Sequence, residues 1–379
     1  MAHGEFVFLG CYTGESGGEG EGIALLRRDA ATGALTRLGV AARTPSPSFL
    51  TQHPEQPVLY AVNELDAGTV SAFSVAVDGT LSELAVQETG GRHPCHLAVT
   101  ADGRHLLAAN YSSGNVSVHP LDGDGAPGER SDLLDLDGPG TGSASVSRSA
   151  SVSRSAPVSR SAPVSRSAPV SRAVPDRPAG PRAHQVAPAP NGPDVLVADL
   201  GTDRVWHGRL DPVSGRLTEL PPAVVTTPGT GPRHLLRSAD GALFLVGELA
   251  GSLTWYHQDG PLELGGSVAA SITPGPNHPS EVVAGRDGRF VYVANRGPDT
   301  VSAFAWDGDK ASLIAEVPTG GSWPRHMALL SDHLYVANER SHNVTTFRID
   351  PDTGIPQRQG EATAESSPTC LLGWNSRAL

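Results

Sequence analysis

Lysine is almost missing from this chain: of 28 basic residues only Lys310 is not arginine, and 40 acidic residues leave a formal net charge of −12. That balance excludes a general affinity for nucleic-acid backbones, which requires clustered positive charge. Cysteine is scarce as well. Cys11, Cys95 and Cys370 are too few and too scattered for a disulfide framework, and their odd number leaves at least one unpaired. A reducing, cytoplasmic setting is therefore expected. No apolar run approaches the roughly 18 residues that a membrane helix needs, so no membrane partner is expected. The segment MAHGEFVFLGCYTG enters a strand-like stretch at Glu5, with neither a basic n-region nor a signal-length apolar core. Aromatic residues make up only 5% of the chain, whereas glycine (44) and proline (32) abound, which points to many short strands joined by tight turns.

What is present is a repeat. GPRHL (231–235) returns as WPRHM (323–327), and the same strand opening recurs as PSFL (47–50), HPCHL (93–97), RAHQV (182–186), HPSEV (278–282) and SPTCL (367–371). Turns such as TADG (100–103), SADG (238–241) and GRDG (285–288) follow, then second strands such as LLAANY (106–111), FLVGEL (244–249) and LYVANE (334–339). A third strand and a fourth, shorter one such as LSEL (81–84) or LTEL (217–220) complete the unit. A four-stranded unit repeated about every 45 residues predicts an all-β, seven-bladed β-propeller. Its amino terminus starts one strand late at FVFLGCY (6–12), and its carboxyl terminus supplies the missing first strand at 367–374. One blade built from both termini would close the ring, giving a single domain over 1–379 that is expected to be a monomer.

One segment breaks the repeat. Residues 143–181 carry VSR every six residues, with valine at 146, 152, 158, 164 and 170. One valine per six residues cannot offset the entropy of ordering, so a disordered low-complexity insertion is expected. Residues 143–182 hold seven arginines and one aspartate, so the ring is six charges more acidic without them.

In a propeller the first strands line a central channel, and their starts meet the ends of the second strands at one mouth. The repeats align into a first column Phe49, His96, His184, His234, Glu281, His326, Cys370 and a second column Cys11, Asn63, Asn110, Asp199, Glu248, Asn295, Asn338. Arg182, Arg233 and Arg325 stand before the first column, and Glu64, Arg296 and Glu339 after the second. Polar residues at blade starts often only tie blades together, and strand-end asparagines commonly satisfy backbone groups. A structural column would tend to repeat one residue type, however, so the mixture of His184, Arg233 and Glu248 points to a ligand site. His93, Cys95 and His96 alternate in direction along a strand and have no second cluster to complete a metal site, so no metal is expected. Asp199 and Asp203 in ADLGTDRV fit a strand end and turn better than a calcium loop. No P-loop, dinucleotide fingerprint or GxSxG elbow is present, and no cofactor is expected.

These residues resemble the lactonase family of seven-bladed propellers, which includes propeller-type 6-phosphogluconolactonases and carboxy-cis,cis-muconate lactonizing enzymes. The matching stretches are GPRHLLRSADGALFLVGEL (231–249), RAHQVAPAPNGPDVLVADLGTDRV (182–205), WPRHM with LYVANERSHNV (334–344), and GCYT (10–13). The resemblance implies hydrolysis of a small anionic sugar lactone, with His184, Arg233 and Glu248 as catalytic residues. Arg296 or Arg325 would hold an anion, and His234, His326 and Asp199 would complete substrate binding. His184 or Glu248 could accept the proton of the attacking water. Two other functions stay open: a lyase or isomerase acting on a muconate-type lactone, and a noncatalytic ligand-binding propeller.

Overall fold

A computed structural model describes residues 5–136, 180–258 and 260–374. The insertion expected at 143–181 lies, apart from its last two residues, outside the described residues.

Alternating apolar residues and turn glycines produce seven four-stranded antiparallel sheets. Blade 1 has the order Pro368–Trp374, Glu5–Cys11, Ile23–Arg28, Leu35–Ala42. Here Phe6 pairs with Trp374 on one side and Arg27 on the other, so the expected closure by both termini is present. Blades 2 to 7 begin with inner strands Leu50–Gln52, Pro94–Val99, Ala183–Pro188, Pro232–Arg237, His278–Ala284 and Pro324–Leu330. Each inner strand touches those of the next and previous blades, and the one in blade 1 closes the circle.

The apolar core is not central. It forms seven separate layers, one between each neighbouring pair of blades. Between blades 5 and 6, for example, Phe244 meets Trp306 edge-on with centroids 4.8 Å apart. Second strands such as Val58–Asn63 and His333–Asn338 are buried at every position because a blade covers each face. Each fully buried Val, Leu or Phe there contributes about 1.5–3 kcal/mol. With the apolar residues used between blades, the axis is left for polar ones.

The fourth strands depart from expectation. They run seven to nine residues in six blades, and only that of blade 3, Asp132–Asp135, is as short as the sequence suggested. In five of these six the pairing with the third strand shifts register once, and in blade 1 it shifts twice. Such a bulge interrupts the alternation that marks a strand in sequence, and an edge strand in water needs little apolar residue to begin with.

Candidate active site

The inner strands begin with a second kind of bulge. In blades 3, 4, 5 and 7 the register slips between Pro94 and His96, Ala183 and Gln185, Pro232 and His234, and Pro324 and His326. Two consecutive residues therefore oppose one partner, which lets both turn towards the axis. The first of each pair (Cys95, His184, Arg233, Arg325) serves the mouth. The second (His96, Gln185, His234, His326) lies one layer below.

This geometry corrects the sequence alignment at two positions. His184 shares its level with Arg233 and Arg325 rather than with His96, whose counterpart is Gln185. Glu248 also moves by one. Gly247 pairs with Pro232 as Asn110 pairs with Pro94 and Asn338 with Pro324, so Glu248 stands with Glu64, Tyr111, Arg296 and Glu339 just past the strand ends. Backbone bonds hold that level in place: the N–H of Glu248 donates to the Gly231 carbonyl at 2.9 Å, and the N–H of Glu339 to that of Trp323 at 3.1 Å.

The turn preceding the inner strand has a left-handed residue in five blades. Ser46, His93, Gly231, Trp323 and Ser367 each precede a proline and have φ of 41°, 51°, 61°, 64° and 46°. Proline disfavours helical conformations in the residue before it, so a left-handed φ there costs energy everywhere except at Gly231. Strain of this kind gathers at functional rims, and all five residues ring the same mouth.

Two ion clusters occupy that mouth. In the first, Glu248 Oε2 lies 3.0 Å from Arg233 Nε and 2.7 Å from Arg296 Nη2. Both guanidiniums therefore spend one N–H edge on the same carboxylate oxygen, and the Arg296 contact is a hydrogen bond as well as an ion pair. Arg233 also donates to the Ser280 carbonyl, and Arg296 Nε donates to that of His278 at 2.9 Å. Burial, followed by the Arg296 charge, brings the Arg233 guanidinium down to about 10. Burial pushes Glu248 upward, but the two arginines outweigh it and hold the carboxyl below its ordinary range.

In the second cluster Tyr12 Oη donates to Glu64 Oε2 at 2.8 Å. Arg325 reaches Glu64 at 3.4 Å and Glu339 at 3.6 Å, and stacks over the Tyr12 ring at 4.8 Å. Arg325, expected as an anion anchor, is thus already neutralised by two carboxylates. Both clusters lie close to the same inner-strand residue, since the Cys95 thiol feels Glu64 and Arg325 of one cluster and Arg233 and Glu248 of the other.

His184 sits between the clusters, 7% exposed, with its ring edge-on to Tyr111 at 5.6 Å. Burial first, then Arg233, His234, Arg325 and Arg296, push its pKa well below the usual histidine value, so the imidazole is neutral at pH 7. The structure therefore brings His184, Arg233, Glu248 and Arg296 together. His234 and His326 lie beneath them, in contact with Glu281 at 2.9 and 3.4 Å. Asp199 is elsewhere in role: fully buried, it accepts from the backbone N–H groups of Arg182 and Gly201 at 2.7 and 3.0 Å and from Trp206 Nε1 at 2.9 Å. Its carboxylate is consumed by the turn, which removes it from the substrate-binding set.

Sequence reasoning did not single out the aromatic rim. Arg296 and Arg340 lie over the Trp323 ring at 5.3 and 3.5 Å, and Arg182 lies over Tyr111 at 6.0 Å. The signal available in sequence is that Tyr12 and Tyr111 directly follow the second-column residues Cys11 and Asn110, as Glu64, Arg296 and Glu339 follow theirs. Among the described residues no group of three His, Cys, Asp or Glu is arranged to hold a metal ion, and no helix is long and apolar enough to cross a membrane.

The family model for the lactonase seven-bladed β-propeller matches residues 6–372. The chain belongs to the lactonase family. Among similar members, the 6-phosphogluconolactonase of Bacillus subtilis is 27% identical over 96% of this chain and 97% of its own length. That of Formosa agariphila is 25% identical over 93% and 94%. Among solved structures, the periplasmic gluconolactonase of Pseudomonas aeruginosa superposes with a TM-score of 0.81 at 27% identity, covering 97% of this chain and 98% of that one. The lactonase fold is thus shared from end to end, and one protein that has it is periplasmic.

Proposed function

We propose that this lactonase-family propeller hydrolyses a sugar lactone, with 6-phosphogluconolactone as substrate and 6-phosphogluconate as product. The observation that carries this reading is the neutral His184 beside two buried guanidiniums that share the single carboxylate of Glu248. A neutral imidazole can take the proton of a water attacking the ring carbonyl. Arg233 is placed to stabilise the oxygen that becomes negative, and a shielded donor is worth more there than in water. Glu248, held ionised by Arg233 and Arg296, serves better as the brace between them than as the base. The 6-phosphate fits the Arg296–Trp323–Arg340 edge, where guanidinium forks offer bidentate donors. Glu64 and Glu339 across the mouth supply acceptors for the hydroxyl groups of a sugar. Three buried free cysteines favour a cytoplasmic setting.

The test is a lactone panel, corrected for spontaneous hydrolysis, that includes 6-phosphogluconolactone, gluconolactone and a muconate lactone. The wild type is expected to favour the phosphorylated sugar. His184→Gln should lose on the order of 10²–10⁴ in kcat. A wild-type rate no greater than the spontaneous one on every sugar lactone would overturn the reading.

A further inference from the structure

Directly below His184 lies a set of polar side chains that the reaction described above does not use. The set consists of His96, His234, Glu281 and His326. Its hydrogen bonds define where its protons sit. Leu371 N–H donates to His326 Nδ1 at 3.2 Å, so that ring carries its proton on Nε2, which faces Glu281 Oε2 at 3.4 Å. Val282 N–H donates to Glu281 Oε1 at 3.1 Å, and the same oxygen lies 2.9 Å from His234 Nδ1. A carboxylate there can only accept, which assigns the His234 proton to Nδ1 and leaves a lone pair on Nε2.

That Nε2 is buried and, among the described residues, has no hydrogen-bond partner, and neither does His184 Nδ1. The two rings meet with centroids 5.2 Å apart at 70°. A linear N–H···N bond between two imidazoles spaces their centroids by roughly 5 Å, so a small rotation would complete it. His96 is the rival donor: its Nδ1 also lacks a partner among the described residues and its ring is 5.5 Å from His234, but that ring is packed at a tilt against Phe49, with centroids 4.1 Å apart.

We propose that Glu281 and His234 are positioning residues that fix the tautomer of His184. The order is Glu281 carboxylate, His234 Nδ1–H, His234 Nε2, then His184 Nδ1–H, so the His184 lone pair is presented at Nε2 towards the mouth. This rests on the reading of His184 as the base, and it adds two residues that never touch substrate. A proton taken up by Glu281 would reverse the chain. The carboxylic acid would donate to His234 Nδ1, the ring proton would move to Nε2, and His184 would lose its acceptor. Arg233, Arg296 and Arg325 face this layer from the mouth, with Glu248 beside them and His96 and His326 at its own level. Burial raises Glu281 above the ordinary glutamate value against the opposing pull of His326 and Arg233. Activity should accordingly fall on the acid side as pH drops through that raised value.

The experiment is nitrogen NMR of the intact protein labelled with ¹⁵N-histidine, with the His184 signals assigned by their loss in His184→Gln. In the wild type at neutral pH, His184 and His234 should both be protonated at Nδ1. His234→Phe should shift His184 to mixed tautomers and lower kcat for the lactone on the order of tenfold to a hundredfold with KM unchanged. Glu281→Gln should abolish the acid-side tautomer change, whereas His96→Phe should leave the His184 tautomer as it was. His184 protonated at Nε2 in the wild type would overturn the proposal even if a variant fails to fold, and so would a His184 tautomer unmoved by His234→Phe. The predicted tautomers in a protein that hydrolyses no lactone would sink the functional reading and leave the proton arrangement standing.

Discussion

Arg233 and Arg325 occupy equivalent places in equivalent pentapeptides, yet their surroundings give them opposite characters. Arg233 shares one carboxylate with Arg296, and its pKa is lowered. Arg325 lies between two carboxylates and over the Tyr12 ring, and although burial lowers its pKa, Tyr12, Glu64 and Glu339 raise it overall. One mouth thus contains an electron-poor half and an electron-rich half, which suits a lactone with an anion at one end and hydroxyls at the other. Asp199 marks the contrast between a polar residue that binds and one that builds. Asp199→Asn should lower stability by about 2–3 kcal/mol, because a buried carboxylate with several donors loses part of its network. It should leave KM for the lactone unchanged. Thermal melts and steady-state kinetics on the same preparation would show both, and a raised KM without a stability loss would return Asp199 to the substrate site.

At the level of strands, the repeat was legible in sequence because alternation and turn glycines are local properties. Strand order, blade number and the shared closing blade could all be read from it. The bulges could not. A bulge is a relation between two strands, so no residue in GPRHL declares that Arg233 and His234 oppose the same partner. That is why an alignment of the repeats puts His184 and Glu248 each one level away from where the register places them. The closing blade has its own polar fastening. Arg28, fully buried, donates to Tyr335 Oη at 2.8 Å and to the Leu330 carbonyl at 3.0 Å, and pairs with Glu5. It thereby ties blade 1 to blade 7. Arg28→Met should cost about 2–3 kcal/mol, since it removes two charge-assisted hydrogen bonds and leaves the Tyr335 hydroxyl with the Gly33 carbonyl as its remaining partner. Chemical denaturation would measure the loss, and a variant as stable as wild type would show that packing alone holds this seam.

For the molecule as a whole, seven apolar layers around a polar axis make stability sensitive to acid. His96, His184 and His234 are held well below their ordinary pKa and His326 is lowered to about 4, in each case first by burial. A histidine whose folded pKa is depressed stabilises the fold fully above its unfolded value and loses that contribution as pH falls towards the folded value. At pH 5 a group like His326 has lost about 2 kcal/mol. Glu281, whose pKa is raised, acts in the opposite sense, because its protonation favours the folded state, but it is one group against four. The melting temperature should therefore decline steadily from pH 7 to pH 5, and a flat profile across that window would show that the axial imidazoles are not buried as neutral rings.

The pairing of Phe6 with Trp374 also imposes an order of events on biosynthesis. A growing polypeptide exposes the unsatisfied side of Glu5–Cys11 while the six other blades are made, because its partner strand follows all of them. His184, Arg233 and Glu248 can be complete in sequence well before that moment, but the hoop that holds them to a common centre is fastened only when Pro368–Trp374 emerges and docks.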